Sequence, residues 1–280
     1  MKRGNYSVFH VRYLVTKTVA YFPLQCAQNS TPVMNAVVES LQRAGYSMRP
    51  NSRDADIAVI WSVLWAGRMA GNREIYYHYR SSSRPVICIE VGTLFRNTTW
   101  KIAINHVNAL GYYGHQHNLD WDRPRKLGLQ LATSAQNHGR ILVAGQHKQS
   151  LQLEGIDQES WYVQKIQEFA KGRQVVVRPH PRCALDRSRF PKDVVWQTPT
   201  KIVNSYDSFD IDWNYDAVIN YNSGPGIQAV IQGVPVIVDS SSLAHAVEDR
   251  ERWLTEICHT EYTVEEIRQG TWVKRTGLEH

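Results

Sequence analysis

A chain of 280 residues with 42% hydrophobic and 21% charged residues has the composition of a globular protein, which excludes a disordered or fibrous one, and its length suits two modest domains or one large one. No stretch approaches the roughly 18 apolar residues of a membrane span, and Asn5, Tyr6 and Ser7 stand where a signal peptide would be apolar, so a cytoplasmic protein with no membrane partner is expected. The net charge of +6 suits an anionic partner such as nucleic acid or a phosphorylated ligand, while Cys26, Cys88, Cys183 and Cys258 include no CxxC pair and form neither a zinc motif nor a disulfide framework.

Residues 7–15 alternate enough to predict an opening strand. A helix begins at Thr31-Pro32, carries Val33, Val37 and Leu41 on one face and ends at Gly45. Residues 56–61 (DIAVIW) read as a buried strand, 72–80 as a helix and 85–91 (PVICIEV) as a second buried strand ending at Gly92. Residues 105–137 are loop-like, with Gly111, Gly114, Gly128 and the pair His115 and His117, and mark a domain crossing. The alternation then restarts. Residues 140–144 (RILVA), 174–177, 193–196, 216–220 (DAVIN) and 235–238 (PVIV) read as strands. Residues 160–170 and 226–232 read as helices, 263–270 and the residues beyond as a last helix, and Leu278-Glu279-His280 as the start of an expression tag. Repeated β–α–β units predict an α/β protein with two Rossmann-like domains, 1–137 and 138–280, facing across a cleft, the last helix packing back on the first domain.

Two motifs carry chemistry. In residues 220–238 (NYNSGPGIQAVIQGVPVIV) a strand ends, a loop comes next and a helix begins near Gly226. The first N–H groups of a helix have no intrahelical partner and lie at the positive end of its dipole, so they bind phosphate readily. Gly224 and Gly226 permit close approach and Ser223 offers a hydroxyl; the same residues also suit an ordinary turn with Ser223 as N-cap. The second motif, Arg178-Pro179-His180-Pro181-Arg182, comes directly after an apolar strand. Its arginines can grip phosphate oxygens in bidentate fashion.

RPHP after a strand, then an NS-x-x-G loop and helix leading to a G-x-P-V-I strand, resembles the donor domain of GT-B glycosyltransferases. The likeness is to capsule-polysaccharide and Kdo transferases and CDP-glycerol glycerophosphotransferases, over roughly residues 139–240. The run VIWSVLWAGRMAGN with PVICIEVGTLFRNTTWKIAINHVN looks like an N-terminal domain of bacteriophage proteins, a class that includes DNA-modifying glycosyltransferases. The resemblance implies a nucleotide diphosphate sugar, UDP-linked, held by Gly145, Gln146, Arg178, His180, Arg182, Asn222, Ser223, Gly224 and Gly226, with Lys148 nearby. It makes residues 1–137 the acceptor side.

Transfer needs a general base within reach of the attacking hydroxyl. Glu90 ends the PVICIE strand and is the candidate. Trp65, Arg68, Arg96, Trp100 and Lys101 are the candidate acceptor contacts, as cations for phosphate and rings for a base or sugar. Trp61, Ser62 and Gly67 belong to the same loop as Trp65. Asp210, Asp212 and Asp216 spell an acidic cluster, but no DxD ends an apolar strand, so no metal and no cofactor are expected. The leading reading is transfer to the 5-hydroxymethyl group of a pyrimidine in double-stranded phage DNA. A capsule or lipid saccharide acceptor, a non-catalytic nucleotide- or DNA-binding module and a UDP-sugar epimerase stay open. The sequence carries no signal for an oligomeric state.

Overall fold

The computed structural model describes residues 16–27, 29–114, 118–133 and 137–279. The opening strand expected at 7–15 lies outside them. The first sheet is built from β1 (Thr18–Tyr21), α1 (Thr31–Arg43), β2 (Ser47–Pro50), β3 (Ile57–Trp61), α2 (Asn72–Ser81), β4 (Val86–Val91) and β5 (Trp100–Ile104). After α3 (Arg123–Lys126) comes a second unit: β6 (Arg140–Ala144), α4 (Gln158–Phe169), β7 (Gln174–Arg178), β8 (Val195–Trp196), β9 (Ala217–Ile219), α5 (Gly224–Ile231) and β10 (Val236–Ile237). The chain ends in α6 (Arg250–Cys258), β11 (Glu261–Tyr262), α7 (Val264–Gln269) and α8 (Thr271–Thr276).

Local chemistry explains the best-defined elements. In α1, Pro32 supplies a preset φ in the first turn and Val33, Val37 and Leu41 form the buried stripe. Fully burying such a side chain contributes about 1.5–3 kcal/mol. β3 is buried on both faces, as an interior parallel strand must be.

The second sheet is entirely parallel, in the order β10-β9-β6-β7-β8. The first runs β11-β5-β4-β3-β1-β2, with β2, β1, β3 and β4 parallel. Each sheet therefore grows outward in both directions from its first strand. This leaves a switch point beside β1 in one and beside β6 in the other, and crevices for ligands form at the carboxyl ends of strands at such points.

β5 joins β4, and β11 joins β5, by antiparallel pairing. β11 is two residues long, and it brings the C-terminus back to the first sheet. There α7 starts with a reciprocal Thr263–Glu266 capping box. Arg268 pairs with Glu39 of α1 at 3.2 Å. The fully buried Trp272 donates its indole N–H to Ser40 Oγ at 3.1 Å. Leu278 packs against the same core, so the first residue of the tripeptide read as a tag takes part in the fold. Among the described residues no helix is long and apolar enough to cross a membrane.

Candidate active site

A cavity of about 710 Å³ opens between the two sheets. Both switch points feed it: Ala27, Asn29 and Ser62 come after β1 and β3, while Gly145, Gln146, Asn222 and Ser223 come after β6 and β9. A strap formed by residues 201–211 closes a third side.

On the first wall, Glu90 of β4 lies in register with Lys101 of β5, which in turn lies in register with Glu261 of β11. Glu90 Oε2 accepts from Ser62 Oγ at 2.7 Å and its Oε1 from the Val91 N–H at 3.0 Å, which fixes the carboxylate's orientation. Lys101 is only 5% exposed, and its Nζ finds Thr93 Oγ1 at 3.5 Å. Burial lowers its pKa, against the pull of the Glu261 and Glu90 carboxylates. Glu261 is fully buried and accepts from Thr93 N (2.7 Å), Leu94 N (3.0 Å) and Thr99 Oγ1 (2.8 Å). It thereby holds the 92–99 loop that carries Arg96. Nothing local in the sequence marks this role, because the loop it anchors lies more than 160 residues earlier.

The opposite wall is made of donors. No side chain caps α5, and Ser223 Oγ accepts from Asn220 Nδ2 at 2.8 Å, so its own proton remains to be given. A Cβ on Gly224 would sit 2.5 Å from the Phe209 ring and 3.1 Å from Thr93, so only glycine allows the walls and strap to approach this closely. Gly226 does not line the cavity; it faces Asn220 and Val238 and packs helix against sheet. Gln146 is buried and its Oε1 accepts from Asn222 N at 3.4 Å, tying the loops after β6 and β9 together. His180 Nδ1 accepts from the Arg182 N–H at 3.0 Å. Burial and the neighbouring His147 push the His180 pKa down to about 4.

The two arginines expected to grip phosphate are already engaged. Arg178, 5% exposed, pairs with Asp210. Arg182 takes Asp207 in bidentate fashion and also donates to the Ile202 carbonyl at 2.7 Å. They hold the strap. The acidic phrase read as a metal candidate is their counterpart: Asp212 pairs with Arg140 at 2.8 Å, and Asp216 accepts from the His138 and Gly139 N–H groups. Among the described residues no cluster of three or more His, Cys, Asp or Glu could hold a metal ion.

Of the acceptor candidates, Arg96 and Lys101 line the cavity, while Trp65, Arg68 and Trp100 do not. Arg96 donates from Nε to the Asp207 carbonyl at 2.9 Å. Successive residues of a strand point to opposite faces, so with Lys101 toward the cavity Trp100 goes into the first core. Trp65 gives its indole N–H to Glu154 at 2.8 Å, joining the two halves. Arg68 sits exposed on a short 3-10 turn and Lys148 outside the cavity lining. Trp61 and Ser62 reach the cavity; Gly67, at φ +54°, forms the turn beside Arg68. His115 and His117 lie outside the described residues. Among the cavity residues not singled out from the sequence, two bear on the site's chemistry. His147 comes directly after Gln146, and Tyr206, on the strap, has a buried hydroxyl with no hydrogen-bond partner among the described residues.

No protein family matches the chain, and neither does any curated protein sequence. Solved structures do. Thermosulfurimonas dismutans KpsC, described as a beta Kdo 2,7 transferase, aligns with TM-score 0.52 at 13% identity over 92% of this chain and 99% of that one. The beta Kdo 2,4 transferase of the same KpsC aligns with TM-score 0.50 at 14% identity over 87% of this chain and 89% of that one. This chain has the GT-B fold. The cavity lies between the two sheets of this fold, with the β4–β5 wall on one side and the β6, β7 and α5 wall on the other.

Proposed function

We propose that the chain is a glycosyltransferase that moves a sugar from a nucleotide-activated donor to an acceptor hydroxyl. One observation carries the reading: an oriented carboxylate, Glu90, shares a single cavity with an uncapped helix N-terminus and the Ser223 hydroxyl. Glu90 takes the acceptor's proton, the acceptor oxygen bonds to the anomeric carbon, and the bond to the donor phosphate breaks. The departing phosphate gathers charge beside the Ser223 hydroxyl, the His180 imidazole and the Gly224 N–H at the positive end of α5, since Pro225 has no N–H and the Gly226 N–H donates to the Ser223 carbonyl at 3.1 Å. The roles of Arg178 and Arg182 move one step back, to holding the strap against this wall. Hydrogen bonds from these groups and the positive end of the α5 dipole stabilise that charge in a reaction proposed to need no metal or other cofactor, and UDP-linked sugars are the first donors to try.

A saccharide acceptor is favoured by the fold shared with the Kdo transferases. The 5-hydroxymethyl group of a pyrimidine in double-stranded DNA is the second reading, supported by the net charge of +6. It requires salt-sensitive DNA binding. The test is incubation with a panel of nucleotide sugars and both acceptor classes, for the unaltered chain and Glu90→Gln. Transfer that Glu90→Gln abolishes, with nucleotide binding intact, supports the proposal.

A further inference from the structure

We infer that His147 is a second imidazole of the donor site, giving its Nε2–H to a phosphate oxygen of the bound nucleotide beside His180. The inference rests on the nucleotide-dependent reading above and assigns it a residue outside both sequence motifs.

His147 lies in the loop after β6, at the switch point of the second sheet, and His180 in the loop after the adjacent β7. The rings meet edge to face, with centroids 5.3 Å apart and planes at 79°. Both line the cavity. Their hydrogen bonding is the same: His147 Nδ1 accepts from the Gln149 N–H at 3.2 Å, and His180 Nδ1 from the Arg182 N–H at 3.0 Å. An imidazole nitrogen that accepts carries no proton, so each neutral ring is protonated on Nε2. Among the described residues neither Nε2 has a partner, and neither is a buried orphan atom. Both N–H groups are therefore accessible, on side chains that line the cavity. Burial lowers both pKa values, helped by Lys148 at His147 and by His147 at His180, so the neutral donor form prevails at neutral pH.

Asp207, a cavity carboxylate that could accept from these donors, is committed to Arg182. Two fixed imidazole donors join the Ser223 hydroxyl on one wall. A group that only accepts hydrogen bonds and brings its own negative charge fits this wall, and phosphate is such a group. The imidazoles hold it without adding a fixed cation.

The test is calorimetric binding of UDP and CMP, each against its parent nucleoside, to the unaltered chain, His147→Ala and His147→Gln. Losing a hydrogen bond to a charged group weakens binding roughly tenfold or more. His147→Ala should lose that much affinity for a nucleotide the unaltered chain binds, keep its affinity for the nucleoside, and recover on His147→Gln, whose amide N–H reaches a similar point. Unchanged nucleotide affinity in His147→Ala, or equal losses for nucleotide and nucleoside, overturns the inference and leaves the nucleotide reading standing. If the unaltered chain binds neither nucleotide, the nucleotide reading itself falls.

Discussion

The Arg182 guanidinium grips the Asp207 carboxylate at two points, Nε to Oδ2 at 2.7 Å and Nη2 to Oδ1 at 3.0 Å. Asp207 Oδ1 also accepts from the Ile202 N–H at 2.9 Å, so one buried carboxylate ties the start and the middle of the strap to the loop after β7. Asp207→Ala should cost about 1–3 kcal/mol of strap stability, the usual cost of leaving such partners unsatisfied. Amide hydrogen exchange checks this: residues 201–209 should lose protection while β6 and β9 keep theirs. Equal protection in the variant would show that the strap does not depend on this pair.

The strap also explains what the sequence showed and what it concealed. The runs DIAVIW, PVICIEV and RILVA announced β3, β4 and β6 because interior parallel strands are apolar on both faces. β2 has mostly exposed residues, and β11 is two residues long, so neither leaves a pattern to read. At the site, the placement of RPHPR and NSGPG after strands was legible, and the structure puts His180 and Ser223 in one cavity. The partners of the arginines were not legible. Asp207 and Asp210 lie 25 and 32 residues downstream, and only the folded strap brings them back. Trp100 looked like a stacking platform because an aromatic beside a lysine reads the same on either face of a strand.

Gly224 tests how tightly the walls and strap are fitted. Its missing side chain leaves room for Phe209, which a methyl group would meet at 2.5 Å. Gly224→Ala should cost about 1–3 kcal/mol through overpacking. Phe209→Ala combined with it should recover part of that cost, giving a coupling of about 0.5 kcal/mol or more in a denaturant double-mutant cycle. Strict additivity would contradict the contact.

Tyr206 offers a cleaner separation of stability from function. Its hydroxyl is buried without a partner among the described residues, and burial raises its pKa, with the Glu90 charge adding to the effect. Removing an unsatisfied buried hydroxyl does not destabilise a protein the way breaking a made bond does. Tyr206→Phe should leave the melting temperature unchanged or raise it. A fall of several degrees would show that the hydroxyl is bonded in solution.

Stability should depend on pH through His180. Its folded pKa of about 4 lies below the ordinary 6.5, so between these values the unfolded chain binds a proton that the folded chain refuses. The stability due to the neutral ring is complete above pH 6.5 and lost as pH falls toward 4, by up to about 3 kcal/mol. Urea midpoints should fall more steeply with acidification in the unaltered chain than in His180→Gln. Parallel curves would show that the ring protonates freely in the fold.

The central claim is that Glu90 and the donor wall act on one bound nucleotide sugar. Mass spectrometry of oligosaccharide and hydroxymethylated-DNA acceptors, after incubation with a panel of nucleotide sugars, tests it most directly. The account predicts that one acceptor gains the mass of one sugar, and that Glu90→Gln lowers the rate by about 100-fold or more. Glu90→Gln should still bind the nucleotide. No mass gain with any donor, or undiminished transfer by Glu90→Gln, would contradict it.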